Sequence, residues 1–245
     1  MKVSFVILSW NRYKFLDECL SALLPAIKNV DDAEVIVMDN GSTDNTHAIL
    51  DKYDSNPIVK IVSRKKNYGL NAYKKLFRMA KGEYIIIVDD DVLSFPDGVD
   101  NIFIEYLKAF PDYGFLALNV IQNEFTLGAK PPIENYVEEI RGDKVIEKGP
   151  TGGWCACFER KNYNKIKLRF LFNDLNMAKG EDGLLVNLFS RKLKLKSGLI
   201  KNHYCLHACG PHYAKVYDHM DRELEKYKQA GLDAIVEEYK NYNQG

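Results

Sequence analysis

Residues 84–91 read Tyr-Ile-Ile-Ile-Val-Asp-Asp-Asp, and no other stretch limits the fold as much. The apolar run Tyr84 to Val88 shows no alternation, which describes a strand buried on both faces, as in the interior of a parallel sheet. Asp89, Asp90 and Asp91 then arrive together at the strand's C-terminal end, where open α/β sheets bind their ligands. Three adjacent carboxylates repel one another, and a hard divalent cation relieves that repulsion while also holding a phosphate. Taken alone, the same residues also describe a solvated acidic turn.

The flanking pattern supplies the rest of the sheet. Val3 to Ser9 reads as a first buried strand that ends at Trp10-Asn11-Arg12. Phe15, Leu16, Cys19, Leu20, Leu23 and Leu24 then form a helical stripe that Pro25 ends or kinks. Glu34 to Met38 is a second strand, followed by Asp39-Asn40-Gly41-Ser42-Thr43-Asp44. There Gly41 permits a tight turn, and Ser42 or Thr43 is expected to cap a helix carrying Ile49, Leu50 and Tyr53. Ile58 to Val62 is a third strand, and Leu70, Tyr73, Leu76, Phe77 and Ala80 form a helical face that ends near Gly82. This succession predicts an α/β class with a mainly parallel, Rossmann-like sheet, right-handed crossovers and flanking helices.

Downstream, Ser94 and Pro96 are expected to start a helix through Val99, Ile102, Phe103, Tyr106 and Leu107. Residues 114–121 form a strand, and the pattern degrades over 122–150, apart from a hairpin turned by Arg141-Gly142-Asp143-Lys144. A strand resumes over 151–158, Gly180-Glu181-Asp182-Gly183 precedes a helix, and Leu199 to His207 is the last strand. Met220, Leu224, Tyr227, Ile235 and Val236 give the tail a helical face with a break near Gly231.

Several function classes are excluded. Basic and acidic residues balance at 34 each, which gives no support for a general nucleic-acid binder. The five cysteines lack framework spacing and indicate a reducing compartment. No Gly-x-Gly-x-x-Gly follows the first strand and no Walker A sequence occurs, so an ordinary dinucleotide or P-loop site is not expected. The run Val3 to Leu8 is too short for a membrane span and lacks a cleavable-signal pattern, so a soluble cytoplasmic protein is expected.

Four blocks in this order carry a resemblance: Ser4 to Arg12, Val35 to Asp44, Asn67-Tyr68-Gly69 through Gly82 to the triple aspartate, and Gly180-Glu181-Asp182. Together they resemble the GT-A glycosyltransferases, specifically family 2. The resemblance implies a GT-A, nucleotide-diphospho-sugar transferase fold in a single domain. Residues of about 1–121 would form the nucleotide-sugar half, about 122–215 the acceptor and catalytic half, and 216–245 a helical tail. It implies an inverting transfer from a nucleoside diphosphate sugar, with uridine as the expected nucleoside, to a hydroxyl of a saccharide or lipid-linked acceptor. Mn²⁺ or Mg²⁺ is the implied cofactor, and nucleic acid is not an expected partner. Peripheral contact with the inner face of a membrane is left open.

Carried over by position, Asp39 would accept a hydrogen bond from the base, with Ser9, Trp10 and Asn11 bordering it. Asn67 and Lys74 would lie on the donor side. Lys74-Lys75 departs from the Arg-Asn or small residues that many relatives carry, and lysine lacks arginine's fork, which leaves the donor open. Asp91 would bind the metal, Asp89 would sit nearer the ribose, and Asp90 would hold the loop. His207 would complete the metal shell, with His203 and His212 as the other candidates. Gly153 would line the donor sugar, and Trp154 would offer its ring to a sugar face. Glu181 would lie on the acceptor side, and Asp182 would be the catalytic base that takes the acceptor's proton.

Rival readings remain for some of these residues. Asp39 could cap a helix, and Glu181 and Asp182 could simply complement a helix N-terminus. A sugar-1-phosphate nucleotidyltransferase would need a glycine-rich phosphate loop that Ser9-Trp10-Asn11-Arg12 does not offer. A binding module without turnover is the alternative outside enzymes. A zinc site drawn from His203, Cys205, His207, Cys155 and Cys157 lacks any Cys-x-x-Cys pair. Arg191, Lys192, Lys194 and Lys196 could face an anionic lipid carrier or a membrane, but a solvated surface is the favoured reading.

Overall fold

A computed structural model describes residues 1–126 and 130–244, and part of the irregular 122–150 stretch, residues 127–129, lies outside the described residues. The N-terminal part alternates as the pattern predicts. Strands β1 (Val3–Ser9), β2 (Ala33–Asp39), β3 (Val59–Ser63) and β4 (Tyr84–Asp89) are separated by helices α1 (Tyr13–Ala26), α2 (Thr46–Asp51) and α3 (Tyr73–Met79). Every residue of β2 is buried, and so are Tyr84 to Val88 of β4. Their side chains meet helices on both faces, which is why the strands read as continuous apolar runs.

These four strands are parallel in the order β3-β2-β1-β4. The sheet then changes direction. Strand β9 (Cys155–Glu159) pairs antiparallel with both β4 and β6 (Tyr113–Val120), and β6 lies parallel to the long β10 (Lys196–His207). Beyond β10 the hairpin β7 (Val137–Arg141) and β8 (Lys144–Lys148) closes the edge, turning across Gly142 at φ +62°.

The remaining helices are α4 (Val99–Ala109), α5 (Arg160–Leu171), α6 (Glu181–Leu188), α7 (Pro211–Val216), α8 (Met220–Gln229) and α9 (Asp233–Gln244). One core runs through the sheet and α1 to α6, while Ala214, Met220 and Tyr239 form a separate small cluster under the last three helices.

Three local expectations are corrected. Ser94 and Pro96 do not open α4. Val92–Ser94 is a short strand, β5, paired antiparallel with β10, and the Ser94 hydroxyl accepts the Leu206 N–H at 3.1 Å. The helix begins after Gly98, whose φ of +73° suits glycine. Ser42 and Thr43 do not cap α2: Ser42 Oγ accepts the Asn11 N–H, and Asp44 accepts the Thr46 N–H. The strand expected from Thr151 starts at Cys155.

Candidate active site

The C-terminal ends of β1 and β4 lie side by side, with Leu8 in register with Asp89. Two further pairings complete the arrangement. The antiparallel β9 begins where β4 ends, and the Asp89 N–H donates to the Trp154 carbonyl at 2.8 Å. Strand β10 ends against β5, with His207 opposite Val92 and the Ala208 N–H donating to the Asp91 carbonyl at 2.9 Å. Residues from the ends of five strands thus meet at one end of the sheet.

Arg12 organises the carboxylates there. Its Nη1 lies 2.7 Å from Asp90 Oδ1 and its Nη2 lies 2.6 Å from Asp91 Oδ2. Asp90 Oδ2 takes the Ser9 hydroxyl at 2.6 Å, so both Asp90 oxygens are committed within the protein. Asp91 Oδ1 has no hydrogen-bond partner although it is buried, and His207 Nε2 stands 3.2 Å from it and 3.8 Å from Asp89 Oδ2. Asp89, Asp91 and His207 each offer one atom within 4.8 Å of the others. Burial pushes Asp89 up to about 7, with Asp91 adding to the shift. Burial also acts upward on Asp91, but Arg12 and His207 outweigh it and hold that carboxyl well below the usual range. The donor set of two carboxylate oxygens and one imidazole fits a divalent cation such as Mn²⁺ or Mg²⁺.

Glu181 and Asp182 form the first turn of α6. Glu181 is buried, and burial together with Asp182 and Asp89 raises its carboxyl well above the ordinary value. Asp182 is half-buried, and its Oδ1 accepts the Gly183 N–H at 2.6 Å. Gly153 packs beneath them: a Cβ there would come within 3.3 Å of Asp182 Cβ and Glu181 Oε1.

A cavity of about 620 Å³ joins these groups, with Ser9, Trp10, Asn67, Asp89, Asp90, Asp91, Glu181, Asp182 and His207 in its wall. Other expected site residues stand elsewhere. Trp154 is buried, donates its indole N–H to the Leu118 carbonyl at 2.9 Å and faces His207 at 5.9 Å between ring centroids, so its ring is not offered to the cavity. Asn11, in the left-handed region at φ +52°, staples two loops by accepting the Thr43 N–H. Asp39 is fully buried, its Oδ1 held by the Ser42 N–H and its Oδ2 at 3.5 Å from His47. Lys74 is half-buried on α3 and is not in the cavity wall.

Sequence reasoning missed the opposite wall, which α8 supplies with Arg222, Glu223 and Lys226. Arg222 donates from Nε to the Trp10 carbonyl and lies 5.3 Å above the Trp10 ring. Glu223 is buried between Arg222, Lys226 and, at 3.8 Å, Arg12. These cations outweigh burial and bring its carboxyl down to about 2. The sequence signal was only a charged helical face. Nothing local says that this face folds back over the sheet edge.

A family model described as "Glycosyl transferase family 2" matches residues 4–172. The chondroitin synthase of Pasteurella multocida (strain Pm70) is 35% identical over 107 residues, which are 43% of this chain and 11% of that protein. The chain therefore spans only a small part of that relative's length. Among solved structures, S. aureus TarS 1-349 in complex with UDP-GlcNAc matches with TM-score 0.65 at 17% identity, over 98% of this chain and 72% of that one. The mannosyltransferase PcManGT from Pyrobaculum calidifontis, in complex with GDP-Man and Mn²⁺, matches with TM-score 0.64 at 18% identity, over 94% and 64%. The mainly parallel sheet with its flanking helices is the GT-A architecture.

Proposed function

The chain belongs to glycosyl transferase family 2, and on that premise we propose that it is a metal-dependent inverting enzyme. It would move a sugar from a nucleoside diphosphate, with uridine the proposed base, to a hydroxyl of a saccharide or lipid-linked acceptor. One observation carries this reading: the Asp89–Asp91–His207 triad and Asp182 share a single cavity large enough for a nucleotide sugar.

The proposed division of work follows the geometry. Asp89, Asp91 and His207 hold Mn²⁺ or Mg²⁺, and Arg12 fixes the orientation of Asp91 through its second oxygen. When bound, the cation stabilises the negative charge that develops on the departing diphosphate. Arg222 and Lys226, on the facing wall, meet the remaining phosphate charge. Trp10 and Asn67 border the nucleoside.

Asp182 is the proposed base. Its Oδ1 is engaged by the Gly183 N–H, which leaves Oδ2 to receive the acceptor's proton. A carboxylate is too weak to deprotonate a sugar alcohol outright, so the proton passes as the new C–O bond forms. Glu181 is a poorer candidate, because its burial beside Asp182 and Asp89 favours the protonated form.

The experiment is Asp182→Asn, read as nucleoside diphosphate release from a panel of sugar donors beside donor affinity. The amide keeps the size but cannot accept a proton. Turnover is expected to fall by roughly 10²–10⁴-fold with donor affinity little changed. A helix-capping aspartate predicts near-normal turnover instead, since Asn caps almost as well as Asp.

A further inference from the structure

The chain as a whole carries no net charge, yet residues 160–196 hold 10 Lys and Arg against 3 Asp and Glu. Two of those acids, Glu181 and Asp182, face the candidate active site, so the outer surface of the segment is nearly all cationic. The fold gathers these cations. Helix α5 buries Asn162, Tyr163, Ile166 and Phe170, with the Tyr163 and Phe170 rings against Phe77, which turns Lys161, Lys165, Leu168, Arg169 and the following Phe172 outward in one stripe. Leu168 is 71% exposed and Phe172 is 87% exposed. Two large apolar side chains this open, adjacent on one stripe and flanked by cations, are unlike the scattered apolar residues of an ordinary surface.

Next to Phe172 the stripe meets a cavity of about 580 Å³, separate from the donor cavity, with Asn173, Lys179, Gly183, Arg191 and Lys192 in its wall. Gly180 belongs to the walls of both cavities, so this one opens beside Asp182. Lys165, Arg169, Arg191, Lys192 and Lys194 form no ion pair among the described residues, whereas Lys161 is paired with Glu159 and Lys196 with Glu139. Of these, Lys165 and Arg169 flank Leu168 on the exposed stripe, and Arg191 and Lys192 stand in the cavity wall.

We propose that this face docks on an anionic phospholipid bilayer. Leu168 and Phe172 enter the boundary of the acyl region, while the unpaired lysines and arginines sit among the phosphate headgroups. The charge is complementary, and the aliphatic stems of Lys165 and Arg169 can lie along the apolar pair with their heads in the headgroup layer. No helix among the described residues is long and apolar enough to cross a membrane, and the docking proposed for this face is a peripheral contact. For the reaction, the docked orientation presents the cavity beside Asp182 to the lipid surface and selects the lipid-linked class of acceptor. That last step rests on the proposed role of Asp182. The docking itself does not.

The test is cosedimentation of the purified chain with vesicles of phosphatidylcholine alone and of phosphatidylcholine mixed with phosphatidylglycerol, at low and high salt. Leu168→Ser/Phe172→Ser and Arg191→Glu/Lys192→Glu are compared with the parent. All four positions are on the surface, and unchanged thermal unfolding and nucleoside diphosphate affinity verify that each variant is intact. The parent is expected to partition onto the anionic vesicles and not onto the neutral ones. The charge variant should lose at least about tenfold in partitioning. The apolar variant should lose whatever binding survives high salt.

Absence of binding to phosphatidylglycerol, or equal binding by parent and both variants, would overturn the proposal. Retention on RNA without vesicle binding would also overturn it, in favour of a nucleic-acid partner. Vesicle binding needs neither donor nor acceptor, so a negative result leaves sugar transfer standing. Loss of nucleotide binding, in turn, leaves a positive vesicle result standing.

Discussion

Arg12 gives three adjacent aspartates three different environments. Asp90 is consumed by the guanidinium and by Ser9, Asp91 keeps one buried oxygen without a hydrogen bond, and Asp89 shares His207 with it. A run of like charges is therefore tolerated because Arg12 and Ser9 compensate Asp90, Arg12 also pairs with Asp91, and His207 stands beside both Asp89 and Asp91. The histidines separate in the same way. His203 packs edge-on to Tyr106 at 5.8 Å, and His212 stacks on Phe125 at 3.9 Å, so neither belongs to the triad. His207→Ala is accordingly expected to raise the Mn²⁺ needed for half-maximal donor binding severalfold, as removing one ligand of a metal shell does. His203→Ala and His212→Ala should leave it near the parent value. Equal requirements in all three variants, measured by nucleotide titration at graded Mn²⁺, would contradict the assignment of His207.

Helix α8 shows what an element can hide from sequence reasoning. Its anchor is Glu223, 3% exposed, which ties Arg12 and Arg222 to the C-terminal helices. The folded-state value of about 2 lies below the ordinary 4.5, so this carboxylate contributes stability above about pH 4.5 and loses it as pH falls toward 2. The shift corresponds to roughly 3 kcal/mol. Chemical denaturation of Glu223→Gln and the parent should thus differ by about that much at pH 7, and the difference should narrow as pH drops through this window. A difference independent of pH would contradict the ion cluster.

The first four strands and their helices were legible because burial on both faces imposes unbroken apolar runs, and the hairpin was legible from Arg141-Gly142-Asp143-Lys144. The antiparallel insertion of β9 was not, since strand direction depends on the return path and not on local residues. Helix α5 escaped because its mean composition is polar, with Asn162 on its buried face. The acidic triple, Glu181 and Asp182 were singled out from their blocks and His207 from its place after the α6 segment, and the structure brings them to one cavity. The burial of Trp154, the stapling by Asn11 and the wall from α8 depend on contacts between residues far apart in the chain.

In the whole molecule, the first strands place Ser9, Trp10 and the three aspartates at one end of the sheet, and segments from the other end of the chain complete the cavity. The family match ends at residue 172, before Asp182, His207, Arg222 and Lys226. The site therefore depends on the late chain folding back onto the early sheet, through β10 against β5 and α8 over Trp10. The proposed function requires this joint cavity to bind a nucleoside diphosphate through a metal held by Asp91. Calorimetric titration of UDP, and of GDP for comparison, with and without Mn²⁺, into the parent and Asp91→Ala decides this. The parent is expected to bind a nucleoside diphosphate far more tightly with Mn²⁺, UDP ahead of GDP, while Asp91→Ala keeps its fold and loses the dependence on Mn²⁺. Nucleotide binding by the parent that ignores Mn²⁺, or an Asp91→Ala variant with the parent's metal dependence, would contradict it.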